Sequence, residues 1–133
     1  MKIRMHMISA VLIAIFLAAG SPYHAMGKEK ADSGTTFHIA EGRASYYADR
    51  FHGKRTASGE KFSLLEYTAA HRSLPFGTTV RVTNLDNGRN VTVRINDRGP
   101  HLRNRIIDVS PAAAKELGLL GKGTTHVRIE AMN

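Results

Sequence analysis

The sequence predicts an all-β fold, a small barrel of six short strands with one or two short helices. Three observations lead to this expectation: apolar and polar residues alternate in several short runs, turn formers separate the runs, and one Gly-Thr stretch recurs. A sheet this small gains by closing on itself, because closure removes its exposed edges. The length of 133 residues suits one domain.

The first 27 residues are predicted to be a secretory signal peptide and not part of the fold. Lys2 and Arg4 form a basic start, residues 7–19 are nearly all apolar, and Ala25-Met26-Gly27 offers a cleavage site between small residues. An uncleaved membrane anchor is the alternative. The apolar run is short for a span, which needs about 20 residues, so cleavage is favoured.

The polar, aperiodic residues 28–40 predict a flexible leader, and the domain is expected over residues 41–133. Within it, residues 42–47 indicate a first strand that ends in two tyrosines. Residues 48–66 indicate a long loop, residues 67–71 a short strand, and residues 75–77 a turn.

A β-hairpin is the clearest local feature. Residues 78–85 and 89–95 both alternate, and their apolar positions are Val80, Val82 and Leu85 in the first and Val91, Val93 and Ile95 in the second. Asp86-Asn87-Gly88 between them is a strong turn signal, because Asn-Gly tolerates positive φ.

The last third begins with a polar loop at residues 96–104 and a strand at residues 105–109. Ser110-Pro111 then suits a helix start, with serine as the cap and proline at the first helical position. Gly118 ends that short helix, and residues 124–131 form the final strand.

An internal repeat supports a barrel built from two similar halves. Gly77-Thr78-Thr79-Val80-Arg81-Val82 recurs as Gly123-Thr124-Thr125-His126-Val127-Arg128-Ile129, with one residue inserted. Chance is the alternative, since Gly-Thr before a strand is common.

The composition excludes several kinds of functional site. The chain has no cysteine, which excludes disulfides, thiolate metal sites, a cysteine nucleophile and lipid attachment through an N-terminal cysteine. The histidines lack metal-ligand spacing, so neither a metal nor a cofactor is predicted.

The predicted mature part has 17 basic and 11 acidic residues, a net charge of about +6. Such a charge attracts polyanions; export argues for cell-wall or membrane anions and against nucleic acid.

The loop Asn96-Asp97-Arg98-Gly99-Pro100 carries the first candidate carboxylate, Asp97. On local grounds a plain turn is the better interpretation, because these residues are turn formers. However, the loop directly follows a strand, and a strand end holds acid–base groups firmly. Arg98 lies beside the carboxylate in sequence and is expected to face either structure or substrate.

Five further positions carry chemical groups of interest. Glu60 is a second carboxylate in a glycine-containing loop, where an exposed surface charge is the slightly better interpretation on local grounds. His71 follows an apolar strand, where a structural role is the commoner case. Asp108 is expected to cap the helix or pair with an arginine. Of Tyr46 and Tyr47, strand alternation predicts that one is packed and the other exposed, available as a platform for a sugar ring.

Long, ordered motifs over residues 41–131 resemble the RlpA-like (rare lipoprotein A) family. They are Gly42-Arg43-Ala44-Ser45-Tyr46-Tyr47, Thr56-Ala57-Ser58-Gly59-Glu60, Ala69-Ala70-His71-Arg72, Val93-Arg94-Ile95-Asn96-Asp97-Arg98-Gly99-Pro100 and Arg105-Ile106-Ile107-Asp108-Val109-Ser110.

The resemblance implies a double-psi β-barrel and an endolytic lytic transglycosylase. Such an enzyme cuts peptidoglycan between MurNAc and GlcNAc and leaves a 1,6-anhydro sugar. Carried over by position, Asp97 matches the catalytic acid, and Glu60 and His71 match functional residues. Tyr46 and Tyr47 fall where the groove begins, so substrate binding is expected of them.

Arg72 and Arg98 are expected to meet substrate carboxylates. The expected partner is a peptidoglycan glycan strand, bound by a monomer that is periplasmic or secreted, has no membrane span after signal cleavage, and carries no lipid anchor. The rival interpretation is a non-catalytic wall-binding or wall-loosening module of the expansin kind, since a shared fold does not fix function.

Overall fold

A computed structural model describes residues 36–132, so the predicted signal peptide at residues 1–27 lies outside the described residues. The described part contains six strands, a 3-10 helix and an α-helix: β1 (Thr36–Tyr46), the 3-10 helix (Asp49–Phe51), β2 (Thr68–Ala70), β3 (Thr79–Asn84), β4 (Asn90–Asp97), β5 (Arg105–Val109), α1 (Pro111–Leu117) and β6 (Thr125–Met132).

The six strands form a closed barrel in the order β1-β5-β2-β4-β3-β6. The β1–β5 and β2–β4 pairs are parallel and the other pairs are antiparallel. Exchanging β1 with β4, β2 with β5 and β3 with β6 leaves this set of pairs unchanged. The barrel therefore consists of two interlocked halves, and the predicted six-stranded double-psi β-barrel is confirmed.

The sequence repeat maps onto this symmetry. Its two copies fall on β3 and β6, which are equivalent strands of the two halves and pair with each other in antiparallel register. Val82 of one copy lies opposite Ile129 of the other, and both are fully buried. Equivalent positions thus meet in the core of the barrel.

The core lies inside the barrel, and β4 shows why the sequence places it there. Val91, Val93 and Ile95 are buried, whereas Thr92 and Arg94 between them are exposed. Successive side chains of a strand point to opposite faces, so the alternation produces one apolar face.

The predicted hairpin is confirmed between β3 and β4. The turn residue Gly88 has φ +76°, and Asn84 N–H donates to Arg89 O at 2.8 Å. However, β4 continues to Asp97, two residues further than expected. Asn96 and Asp97 therefore belong to the strand and not to the following loop.

The expectation of a flexible leader up to residue 40 is wrong for its last five residues. β1 begins at Thr36, because the segment pairs with the C-terminal end of β6, with Phe37 opposite Ala131. The partner strand is almost a hundred residues away in the chain, so local composition gave no sign of it.

The α1 boundaries match their signals. Ser110 Oγ accepts from Ala113 N–H at 3.3 Å, and Pro111 opens the helix. Gly118 ends it with φ +72°, where an added Cβ would lie 2.9 Å from Asn87 Nδ2.

The helices within residues 36–132 are short, and none has the length and apolar character that a membrane span needs.

Candidate active site

A cavity of about 420 Å³ opens where residues from β1, β4 and β5 come together with the segments that follow them. Four of the seven predicted site residues line it: Asp97, Tyr46, Tyr47 and Arg98. The other three, Glu60, His71 and Arg72, do not line it. The structure thus divides the predicted site into residues that line the cavity and residues that do not.

The carboxylate of Asp97, the last residue of β4, has a different environment at each oxygen. Oδ1 accepts from the backbone N–H groups of Ala57 and Arg98, at 2.8 and 2.9 Å. Oδ2 accepts from the Tyr47 hydroxyl at 2.5 Å. Three neutral donors fix the carboxylate, and it remains part of the cavity wall.

Tyr47 is held rigidly against Asp97. Its ring stacks on Phe62 with centroids 4.5 Å apart and meets the edge of Phe51 at 5.9 Å. Burial and the hydrogen bond to Asp97 raise the pKa of Tyr47 far above its ordinary value of about 10. The hydroxyl therefore stays protonated and remains a donor at physiological pH.

The expectation that one tyrosine is packed and the other exposed is wrong. Tyr46 and Tyr47 are both half-buried, and both line the cavity. The reason is that β1 ends at Tyr46, so strand alternation does not extend to the next residue. The chain turns there toward the 3-10 helix.

Glu60 does not line the cavity and forms an ion pair with Arg94 of β4. Its carboxylate accepts from both terminal nitrogens of Arg94, at 2.8 and 2.9 Å, and from Asn96 Nδ2 at 2.8 Å. The hydrogen bonds from Arg94 hold the pKa of Glu60 below its usual range.

This ion pair ties the loop around Glu60 to β4. The same loop donates Ser58 N–H to Asn96 O at 3.2 Å and Ala57 N–H to the Asp97 carboxylate. Glu60 therefore reaches Asp97 through the loop backbone and not through its own carboxylate.

His71 is also joined to Asp97 through the backbone. Its N–H donates to Asp97 O at 3.2 Å. Its ring Nδ1 accepts from Ser73 and Leu74 N–H, both at 3.1 Å, which places the proton of the neutral ring on Nε2. Burial, with the nearby Arg72 and Arg98, lowers the pKa of His71, so the neutral ring is favoured.

The two predicted carboxylate-binding arginines already have backbone partners. Arg98 donates to Leu74 O at 2.8 Å and lies over the Phe76 ring, 4.0 Å from its centroid. Arg72 donates to Leu102 O. These contacts give the Arg98 guanidinium structural partners, and Arg98 also lines the cavity, so substrate binding stays a prediction.

Asp108 was not among the predicted site residues, and the structure places it in the cavity wall. The expected capping role is wrong, because Ser110 caps α1. The Asp108 carboxylate instead accepts a hydrogen bond from the Ser45 hydroxyl, which also accepts from Arg105 at 3.2 Å.

A sequence signal for Asp108 existed. It lies between the buried Ile107 and Val109, so alternation turns its side chain away from the core. What the sequence did not reveal is the parallel register that sets Ser45 opposite Asp108.

Comparison with known proteins identifies the family. A family model described as "Lytic transglycolase", a double-psi β-barrel, matches residues 39–129. The chain belongs to this family. The resemblance to RlpA-like proteins is thereby confirmed for the lytic transglycolase domain.

Curated relatives carry names that agree with this family. The chain is 62% identical over 91 residues to a probable endolytic peptidoglycan transglycosylase RlpA of Treponema pallidum, covering 68% of the chain and 29% of that protein. It is 47% identical over 114 residues to the endolytic peptidoglycan transglycosylase RlpA of Neisseria meningitidis serogroup A, covering 85% and 48%. The chain therefore spans less than half the length of these two relatives.

Solved structures share the fold of the lytic transglycolase domain at low identity. The Streptomyces papain inhibitor matches with a TM-score of 0.57 and 23% identity, over 77% of this chain and 98% of that one. A Clavibacter michiganensis expansin in complex with cellohexaose matches with a TM-score of 0.56 and 19% identity, over 74% and 51%. These similarities show the fold alone.

Proposed function

We propose that this protein is an endolytic peptidoglycan transglycosylase that acts outside the cytoplasm. It cleaves glycan strands between MurNAc and GlcNAc and leaves a 1,6-anhydro-MurNAc end. The observation that supports this most strongly is Asp97, a carboxylate at the end of a rigid strand, fixed by three neutral donors in the wall of a cavity. The family match and the names of the relatives support peptidoglycan as the substrate.

The hydrogen bonds indicate which oxygen of Asp97 handles the proton. A backbone N–H can only donate, so the two N–H groups at Oδ1 keep that oxygen an acceptor. A hydroxyl can donate or accept, so the Tyr47 hydroxyl can turn to accept when Oδ2 is protonated. We therefore assign the transferable proton to Oδ2.

The reaction needs one acid–base group. Protonated Asp97 gives its proton to the glycosidic oxygen as the bond from that oxygen to C1 of MurNAc breaks. The C6 hydroxyl oxygen of the same sugar forms a bond to C1, and its proton passes to the Asp97 carboxylate. The acid is regenerated and no water is consumed, whereas hydrolysis usually needs a second carboxylate to act on water or on C1.

The remaining predicted residues support Asp97 in this proposal. Tyr46 contributes a half-buried ring to the cavity wall, suited to contact with a sugar face. Glu60 fixes the loop whose Ala57 N–H donates to the Asp97 carboxylate, and His71 N–H donates to the Asp97 carbonyl, so both position Asp97. For Arg72 and Arg98, binding of substrate carboxylates stays a prediction.

The test is product analysis. Purified glycan strands are incubated with the protein, and the new ends are identified by mass spectrometry. We expect anhydro ends from the wild type. Asp97→Asn keeps an oxygen acceptor for Ala57 and Arg98 N–H but removes the acid, and we expect it to lose about 10²–10⁴-fold in rate. Glu41→Gln, which alters an exposed carboxylate on β1, is the matched control and should retain full activity.

Each alternative has its own outcome. Reducing ends in place of anhydro ends would show hydrolysis. Strand binding without any new ends would show a wall-binding module. Either result from the folded wild-type protein would contradict the proposal.

A further inference from the structure

We propose that Asp108 is a second carboxylate of the active site and stabilises the positive charge that develops on the sugar ring during cleavage. This inference rests on the proposed function. It assigns a role in the reaction to Asp108, which lies in one of the family motifs but was not among the predicted site residues.

The strand register places Asp97 and Asp108 on either side of Ala70. Ala70 of β2 pairs with Asp97 of β4 on one side and with Asp108 of β5 on the other. Neighbouring strands lie about 4.8 Å apart, so the two aspartate Cα atoms are separated by about 10 Å. Both side chains line the same cavity, and the alanine between them adds only a methyl group.

One oxygen of the Asp108 carboxylate is fixed by a hydrogen bond from β1. Ser45, which is only 4% exposed, donates its hydroxyl to Asp108 Oδ1. Ser45 in turn accepts from Arg105. Within residues 36–132, Oδ2 has no hydrogen-bond donor, so one oxygen is anchored and the other remains available at the cavity wall.

This arrangement matches the charge changes of the reaction. The sugar passes through an oxocarbenium-like transition state, with positive charge shared between C1 and the ring oxygen. A fixed carboxylate that faces this charge stabilises the transition state more than the ground state. Asp97 moves the proton at the glycosidic oxygen, and Asp108 acts on the ring without forming a bond or moving a proton.

Another carboxylate of the molecule provides a control for a purely structural role of Asp108. Asp86 also accepts from a buried hydroxyl, that of Thr125, at 2.7 Å. Asp86 does not line the cavity. The two carboxylates therefore share the same kind of anchor and differ in access to substrate, which makes Asp86 the matched control.

The experiment measures kcat, KM and thermal unfolding for Asp108→Asn, Asp108→Glu and Asp86→Asn on purified glycan strands. We expect Asp108→Asn to lower kcat by about 10²–10³-fold with little change in KM, because the interaction belongs to the transition state. Asp108→Glu, which keeps the charge, should recover part of the lost kcat. Asp86→Asn should keep wild-type kcat even where it lowers the unfolding temperature.

Three results would overturn the inference. Wild-type kcat in folded Asp108→Asn would show that the carboxylate is not used, while the proposed function would stand. Equal kcat losses in Asp108→Asn and Asp86→Asn, each tracking lost stability, would show a structural role. Absence of anhydro ends from the wild type would remove the proposed function and this inference together.

Discussion

Asp97 and Glu60 are both carboxylates at the C-terminal end of β4, but their surroundings differ. Asp97 is the last residue of the strand, and Glu60 is a loop residue bonded to Arg94 and Asn96 of the strand. Asp97 is held by neutral donors and lines a cavity. Glu60 is clamped by the Arg94 guanidinium on the outer face of the barrel, where the two side chains are 37% and 44% exposed. A carboxylate paired with a cation stays ionised, which suits a structural link and not an acid.

In the proposed function this difference gives the two carboxylates different roles. Asp97, which lines the cavity, is the proposed acid. Glu60 fixes the loop whose Ala57 N–H donates to Asp97, so we expect its effect on the reaction to be indirect. Substitutions that alter the surroundings of Asp97 or of Glu60, but not both, therefore test whether the two carboxylates have different roles.

The largest effect among these tests is expected from the Tyr47 hydroxyl. Tyr47→Phe keeps the ring on Phe62 but removes the donor to Asp97 Oδ2. A hydrogen bond to a charged group contributes about 1.5–3 kcal/mol, which corresponds to about a 10–100-fold loss of kcat. Steady-state kinetics on glycan strands measures it, with Tyr67→Phe, outside the cavity, as the control. Unchanged kcat in Tyr47→Phe would mean that the hydroxyl has no part in the reaction.

A smaller effect is expected from breaking the ion pair. Glu60→Gln loosens the loop that carries Ala57, and the loss of a hydrogen bond of about 0.5–1.5 kcal/mol lowers kcat by about 2–10-fold. Arg94→Gln should have a similar effect. The double variant should lose no more than either single one, because the two residues act as one unit. Fully additive losses would argue that Glu60 acts on its own.

The smallest effect concerns stability at alkaline pH. The raised pKa of Tyr47 means that the unfolded chain releases this proton first, near pH 10. Above that pH the folded state holds more protons, so stability falls as pH rises, by up to about 1.4 kcal/mol per pH unit. Tyr47→Phe lacks this contribution. Urea unfolding at pH 9 and 11 should show a steeper loss for the wild type, and parallel losses would contradict the assignment.

The sequence predicted most of the barrel because its elements carry local signals. Strand alternation and Asn87-Gly88 predicted the hairpin, and Ser110, Pro111 and Gly118 bounded the helix. The start of β1 was missed because it depends on pairing with β6, a contact between the two ends of the domain.

The site was predicted only in part for the same physical reason. Family motifs pointed to Asp97, Glu60 and His71, but not to the partners that give each a different role. The Arg94 clamp on Glu60 and the turn that engages His71 Nδ1 are side-chain geometry. Asp108 was expected to cap the helix or pair with an arginine, because the register that joins β5 to β1 is not visible in a single sequence.

The most direct test of the account compares kcat for Asp97→Asn and Glu60→Gln on the same purified glycan strands, with unfolding measured in parallel. The account predicts a loss of about 10²–10⁴-fold for Asp97→Asn. For Glu60→Gln it predicts a loss of no more than about tenfold. An equal or greater loss in folded Glu60→Gln would contradict the division between the two carboxylates. Retained activity in Asp97→Asn would contradict the assignment of the proton transfer.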